Sequence, residues 1–344
     1  MTSGKQVIRV GVVGAGTNTR ERHIPGLRAQ PGVEVVSVVN RSRASSEKAA
    51  RELGIPNVAD NWRALVEDSG IDAVMIGTWP YLHCPITLAA LAAGKHVLTE
   101  ARLAMNATEA LQMLQAAQAR PDRVAQVVPA PFTLGVDRTV QRLLREGFLG
   151  RLLTIEVRVA DGKFLDTQAP LSWRQDADLS GLNVMSLGIW YESVMRWVGE
   201  ADSVMARGRT FVTQRVDTSG RLRAVRVPEH VVVLADMVCG AQATFTVSAV
   251  TGLMKSSEIV LCGSEGTLRF ADGHLYGARK GDAALQMVPV PAEEAGGWRV
   301  EEEFINAIRG IEPVTHTTFA DGLKYMQFTD AVARSMAEGR ALTV

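Results

Sequence analysis

The sequence predicts an α/β protein in two parts: an N-terminal doubly wound parallel sheet, then an α+β region with an open, mostly antiparallel sheet. Three observations carry that prediction. Short β-branched runs alternate with helical patterns through the first third of the chain, as in a parallel sheet with helices on both faces. A glycine turn, Gly11-Val12-Val13-Gly14-Ala15-Gly16, follows the first such run and opens a helix. Past Leu152, alternating strand-like stretches come in a series between helices, the rhythm of an α+β domain.

Each element has a local reason. Residues 7–13 read as a buried strand, 23–29 as the helix after the glycine turn, and 33–39 as the second strand. Residues 45–53 read as a serine-capped helix. Short apolar strands follow at 73–76 and 96–98, with helices at 85–93 and 108–119, the latter rich in Ala, Leu and Gln. Residues 124–128 close the series. Pro129 and Pro131 cannot continue a central strand, so the expected domains are 1–128 and 129–344. In the second, helices are expected at 137–146, 184–198, 300–309 and 319–336. Strands are expected at 152–159, 203–212, 230–237, 243–250, 258–262 and 267–270.

Composition narrows the function class. A chain of 344 residues suits two cores better than one. Lys+Arg and Asp+Glu both number 37, so there is no electrostatic footprint for nucleic acid or an anionic membrane. A net charge of zero accords with self-association. Cys84, Cys239 and Cys262 are too scattered for a metal site or a disulfide framework, which points to a reducing compartment. The N-terminus lacks an apolar signal core, and no apolar stretch is long enough to span a bilayer. The expectation is a cytoplasmic bacterial-type enzyme with a small-molecule substrate and no metal.

The glycine turn supplies the first chemistry. Gly14 permits a tight turn, and Gly16 lets backbone amides approach a pyrophosphate at a helix N-terminus. Thr17 and Asn18 extend the turn, and Thr19 stands where a third small residue usually packs. The second strand ends at Asn40, the right distance downstream for a ribose contact. An acid there would repel a 2′-phosphate. Asn40 with Arg41, Ser42 and Arg43 instead favours NADP(H), with NAD(H) the alternative.

A longer segment extends this reading. Gly94-Lys95-His96-Val97-Leu98-Thr99-Glu100-Ala101-Arg102-Leu103-Ala104 resembles the Ala-Gly-Lys-His-Val-x-x-Glu-Lys-Pro-Leu-Ala segment of the Gfo/Idh/MocA family. His23-Ile24-Pro25-Gly26-Leu27 is similar to that family's His-x-Pro-Ala-Leu. Thr78-Trp79-Pro80-Tyr81-Leu82-His83 is similar to its Thr-Pro-Asn-x-x-His. The resemblance implies a Rossmann domain, a second domain for substrate binding and for assembly into a homo-oligomer, dimer or tetramer, and nicotinamide-dependent oxidation or reduction of sugars, inositols and related polyols. It places Thr78, Trp79, His83 and Glu100 at the cofactor.

The same resemblance marks where the chain departs. The family's catalytic lysine is Ala101 here, and the proline after it is Arg102. Trp173-Arg174-Gln175-Asp176 and the run from Ser180 to Trp190 resemble Trp-Arg-x-Asp and Gly-Gly-Gly-x-Leu-x-Asp-x-Gly-x-His. The Asp position is Ser186 and the His position is Trp190. Any proton transfer must then use another group, ranked His83, Tyr81 and Glu192, with Arg102 stabilising an oxyanion. Arg102, Trp173, Arg174, Asn183, Trp190 and Tyr191 are the expected substrate contacts, in a pocket between the domains. Each has a structural alternative: core packing for Trp190, a helical ion pair for Glu192 with Arg196. Three functions stay open: an oxidoreductase with an altered acid–base set, a non-redox lyase or glycoside-cleaving enzyme holding its nicotinamide tightly, and an inactive dinucleotide-binding pseudoenzyme.

Overall fold

Strands form where the sequence is most β-branched. β1 (Ile8–Val13) and β2 (Val33–Val39) run parallel and bury most of their side chains, as strands covered on both faces must. The structure is a computed structural model that describes residues 7–344. Residues 1–6, within the N-terminus read above as lacking an apolar signal core, lie outside the described residues. β3 (Asn57–Val58), β4 (Ala73–Ile76), β5 (His96–Thr99) and β6 (Ala125–Val127) complete a parallel sheet in the order β3-β2-β1-β4-β5-β6. The order reverses between β1 and β4, so the glycine turn stands at the switch point where open α/β sheets bind ligands.

The connecting helices begin at polar caps. A π-turn at Thr19–His23 leads into α1 (Ile24–Arg28). α2 (Arg43–Leu53) starts at Ser42, whose hydroxyl accepts the Ser45 N–H while Ser45 returns the bond. The expected start at residue 45 is therefore two residues late, because the reciprocal Ser42–Ser45 cap starts the helix at Arg43. Asn61 caps α3 (Trp62–Glu67), His83 opens α4 (His83–Ala92), and Asn106 caps α5 (Ala107–Gln118).

The next stretch carries α6 (Asp137–Arg145), β7 (Leu152–Asp161), α7 (Ala177–Ser180), α8 (Leu187–Val198) and β8 (Ala201–Arg209). A separate hairpin, β9 (Gln214–Val216) with β10 (Leu222–Ala224), follows. Then come β11 (His230–Met237), β12 (Gln242–Ser248), β13 (Lys255–Gly263), β14 (Gly266–Ala271), β15 (His274–Arg279) and β16 (Gln286–Met287). α9 (Val300–Ile308), α10 (Phe319–Glu338) and β17 (Leu342–Thr343) end the chain. The second sheet runs β16-β15-β14-β13-β7-β12-β11-β8-β17. β7 and β12 are parallel and the other neighbours antiparallel. β11 buries alternate residues, the mark of a sheet with one covered face. On that face Tyr191 of α8, Phe245 of β12 and Phe328 of α10 pack ring against ring. The other face leaves Met205, Val232 and Leu234 exposed.

Packing divides the chain into two compact units: the chain through Pro129 with Arg299–Leu323, and Ala130–Trp298 with Lys324–Val344. The expected second domain, 129–344, included residues 299–323, which belong with the first unit. Glu301 and Glu303 on α9 explain this, since they bury carboxylates against His23 and Gln126. Among the described residues no helix is long and apolar enough to cross a membrane.

Candidate functional site

The glycine turn is built by exclusion of side chains. Gly14 holds φ at +89°, and a Cβ there would lie 2.8 Å from the Gly77 backbone. A Cβ on Gly77 would overlap the Thr19 hydroxyl and the Gly14 carbonyl. Thr19 thus takes the third small-residue position because Gly77 leaves it room. At Gly16 the nearest atom to a Cβ would be 3.8 Å away, so the outer side of the turn is open. Beside it, Thr78 Oγ1 is buried with no hydrogen-bond partner. A filled inner side, an open outer side at a helix N-terminus and an unpartnered hydroxyl fit a dinucleotide phosphate.

At the end of β2 the four candidate residues separate by role. Asn40 Oδ1 accepts the Ala15 N–H at 2.7 Å, and Asn40 Nδ2 donates to the Ser45 carbonyl at 3.0 Å. An aspartate could not make the second bond, which accounts for the amide. Ser42 is the α2 cap. Arg43 is engaged by Glu47 at 2.8 Å and Asp60 at 3.0 Å. Arg41 has no carboxylate partner among the described residues, and its guanidinium lies 5.8 Å from the Trp79 ring centre.

His83 is fully buried. Its Nε2 is 3.0 Å from the Thr78 carbonyl and its Nδ1 2.9 Å from the Arg102 carbonyl. Burial holds the imidazole below its ordinary pKa. Its contacts are structural: the ring clamps the loops after β4 and β5, and neither nitrogen is open to a substrate hydroxyl. The first place given to His83 as base is corrected accordingly. Arg102 is also buried, whereas Tyr81, in the 3₁₀ turn Pro80–Leu82, is partly exposed. Neighbouring Cys84 is buried, and desolvation pushes its thiol up to about 11.

His23, part of the His23-Ile24-Pro25-Gly26-Leu27 motif, is not among the expected site residues. Glu100 accepts hydrogen bonds from Asn18 and from the Ala101 N–H, and its Oε1 is 3.0 Å from His23 Nε2. The acid retained from the family motif therefore ties the glycine turn to the end of β5.

In the second unit the candidates fall into two groups. Tyr191 and Glu192 turn inward, which corrects both. The Tyr191 hydroxyl accepts the Ala201 N–H at 2.8 Å, its ring stacks on Phe328 at 3.7 Å, and burial pushes its pKa up to about 12. Glu192 accepts the Ala130 N–H with both oxygens at 3.1 Å and pairs with Arg196 at 2.9 Å. Arg196 also binds Asp137 and the Ala130 carbonyl. Together they pin the proline-rich loop to α8.

The second group stacks on rings or binds backbone. The Arg174 guanidinium lies 4.3 Å from the Trp173 ring centre. Asn183 is buried and donates to the Ser180 carbonyl at 2.7 Å. Trp190 is buried, and its ring stacks at 4.6 Å on Phe132, which is 45% exposed. Phe132 had no place among the sequence candidates. Its signal was available only as an aromatic beside the altered Pro129-Ala130-Pro131 segment. Among the described residues, no group of three or more His, Cys, Asp or Glu side chains could hold a metal ion.

Comparison with known families agrees with this arrangement. Residues 8–127 match the model of an oxidoreductase family with an NAD-binding Rossmann fold, and residues 138–269 match the GFO/IDH/MocA C-terminal domain. The chain belongs to the Gfo/Idh/MocA family. Its first unit is accordingly the NAD-binding Rossmann domain of a Gfo/Idh/MocA oxidoreductase. A glucose-fructose oxidoreductase domain-containing protein 2 from Xenopus laevis is 28% identical over 273 residues, 78% of this chain and 69% of that protein. The 1,5-anhydro-D-fructose reductase of Ensifer adhaerens is 35% identical over 181 residues, about half of each chain (52%). Among solved structures, a levoglucosan dehydrogenase complexed with NADH and levoglucosan superposes with a TM-score of 0.83 at 24% identity, covering 98% of this chain and 100% of that one. An oxidoreductase domain protein from Kribbella flavida gives a TM-score of 0.85 at 23% identity, covering 98% and 99%. These two likenesses describe the fold.

Proposed function

We propose that this member of the family is an NADP(H)-dependent oxidoreductase acting on a sugar-like or other cyclic hydroxy or carbonyl substrate. The observation that carries the cofactor choice is Arg41, a guanidinium with no carboxylate partner among the described residues, beside the neutral Asn40. When bound, the nicotinamide supplies or accepts the hydride. Asn18, Thr78, Glu100 and Arg41 would hold the dinucleotide. The ring substrate is supported by relatives named for cyclic compounds, including levoglucosan and trans-1,2-dihydrobenzene-1,2-diol dehydrogenases. Phe132, exposed and backed by the buried Trp190, supports it too, as an aromatic face suited to a ring. Unpaired Cys84, Cys239 and Cys262 accord with a cytoplasmic setting.

The cofactor choice has a direct test. NADPH should bind about tenfold or more tightly than NADH, the contribution of one charge-assisted contact to a phosphate. Arg41→Ala should erase that preference, and Arg43→Ala should leave most of it, because Glu47 and Asp60 already engage Arg43. Equal affinities in the unmodified protein, read by tryptophan quenching, would overturn the choice. Turnover is then sought with a panel of cyclic ketones and alcohols. Ala101, Ser186 and Trp190 favour a second reading, a dinucleotide-binding protein without turnover. Tight NADPH binding with no oxidation across the panel would select it.

The same reading makes the protein a homo-oligomer that associates through the uncovered sheet face. Leu234 pairs in register with Met205, and Val232 lies two residues along the same strand face. These side chains are 41–44% exposed, and pairing of two such faces would bury them. Sedimentation should give a dimer or larger, and Leu234→Lys should shift it toward the monomer. A monomer at all concentrations would refute this.

A further inference from the structure

We infer that His23 and Glu301 are positioning residues for the dinucleotide site. With Glu100 they form a buried carboxylate–imidazolium–carboxylate bridge that locks the glycine turn to the end of β5, and dinucleotide affinity depends on that bridge staying charged. The inference rests on the dinucleotide reading of the turn.

His23 is 0% exposed and ends the π-turn that follows the glycines. Its Nδ1 is 2.5 Å from Glu301 Oε1, and its Nε2 is 3.0 Å from Glu100 Oε1. An ionised carboxylate only accepts hydrogen bonds, so both contacts are satisfied when both ring nitrogens carry protons. A neutral ring would set a lone pair against one buried carboxylate, an unfavourable arrangement in a low dielectric.

The surrounding groups all come from the first unit. Asn18 of the glycine turn donates to Glu100 and lies 3.2 Å from His23 Nε2. Glu100 also accepts the Ala101 N–H, Glu301 comes from α9, and the buried His83 faces Glu100 from α4. Burial alone would lower the His23 pKa. The bonds to Glu100 and Glu301 outweigh it and raise the group to about 9. Glu100 is held below the usual carboxylate range, because His23 and Asn18 overcome the opposing effect of burial.

Gly26 supplies an independent geometric sign. A Cβ there would lie 2.7 Å from Glu301 Oε2. The motif that this stretch resembles carries alanine at that position. The missing methyl is what admits the Glu301 carboxylate to His23.

The pH dependence has a definite sign. A folded pKa of about 9 against an ordinary 6.5 means the contribution is complete below 6.5 and is lost as pH rises through about 9. The experiment is an NADPH titration of the full chain by tryptophan quenching, from about pH 6.5 to about pH 10, with circular dichroism at each pH to confirm folding. Affinity is expected to hold near neutrality and to fall about tenfold through pH 9. Glu301→Gln keeps an acceptor but removes a charge, so the midpoint should move down by about one to two pH units. Gly26→Ala crowds the carboxylate without changing any charge and should move the midpoint in the same direction by less. It serves also if Glu301→Gln does not fold. Binding that is flat through pH 9, or a midpoint that neither variant moves, would overturn the inference alone. Failure of NADPH and NADH to bind at any pH would overturn the dinucleotide reading and this inference with it.

Discussion

Replacing Tyr81 by phenylalanine is expected to lower kcat for a cyclic alcohol or ketone by about 10²–10⁴-fold, the usual contribution of a positioned proton-transfer group. NADPH affinity should be unchanged. Accessibility separates the three ranked groups. His83 is sealed between two carbonyls, and Glu192 is committed to Ala130 and Arg196. Tyr81 is partly exposed, and its hydroxyl has no hydrogen-bond partner among the described residues. It is the remaining ranked group that can give or take a proton. Steady-state kinetics with matched cofactor titrations decide it. A kcat within about twofold of the unmodified enzyme would remove Tyr81 from the chemistry.

Glu192→Ala should lower the unfolding free energy by about 3–5 kcal/mol, the cost of breaking one side of a buried ion pair. In a unit of this size that corresponds to a melting temperature lower by roughly 10 °C. The side chain of Glu192 is 2% exposed and that of Arg196 10%, so solvent screening spares little of the loss. Glu192→Gln should cost less, since its amide oxygen still accepts the Ala130 N–H. Calorimetry of both variants is the measurement. A Glu192→Ala melting temperature equal to that of the unmodified protein, with an altered pH–rate profile, would return Glu192 to the list of bases.

The parts legible in the sequence are those governed by neighbours in the chain. β2 and β11 were placed to the residue because β-branched runs bounded by polar residues leave little choice. β3, β9, β10 and β16 were missed because two or three largely exposed residues carry no periodicity. On α8, helical spacing grouped Ser186 with Trp190 but could not say which directions faced the core. The helix is buried at Leu187, Trp190, Tyr191, Glu192, Val194 and Trp197, so almost no direction is free for a ligand. The glycine turn was readable because its glycines are local. Glu301 was not, because its partner lies 278 residues away.

That separation has a consequence for biosynthesis. His23 emerges from the ribosome early, and α9 is made only after nearly the whole second unit has followed. A nascent chain stalled before Val300 would present a parallel sheet whose buried imidazole lacks one of its two counter-charges. N-terminal domains commonly fold first during translation. Here the first unit has to wait for its last helix, so a fragment cut at residue 128 is a poor stand-in for the dinucleotide domain.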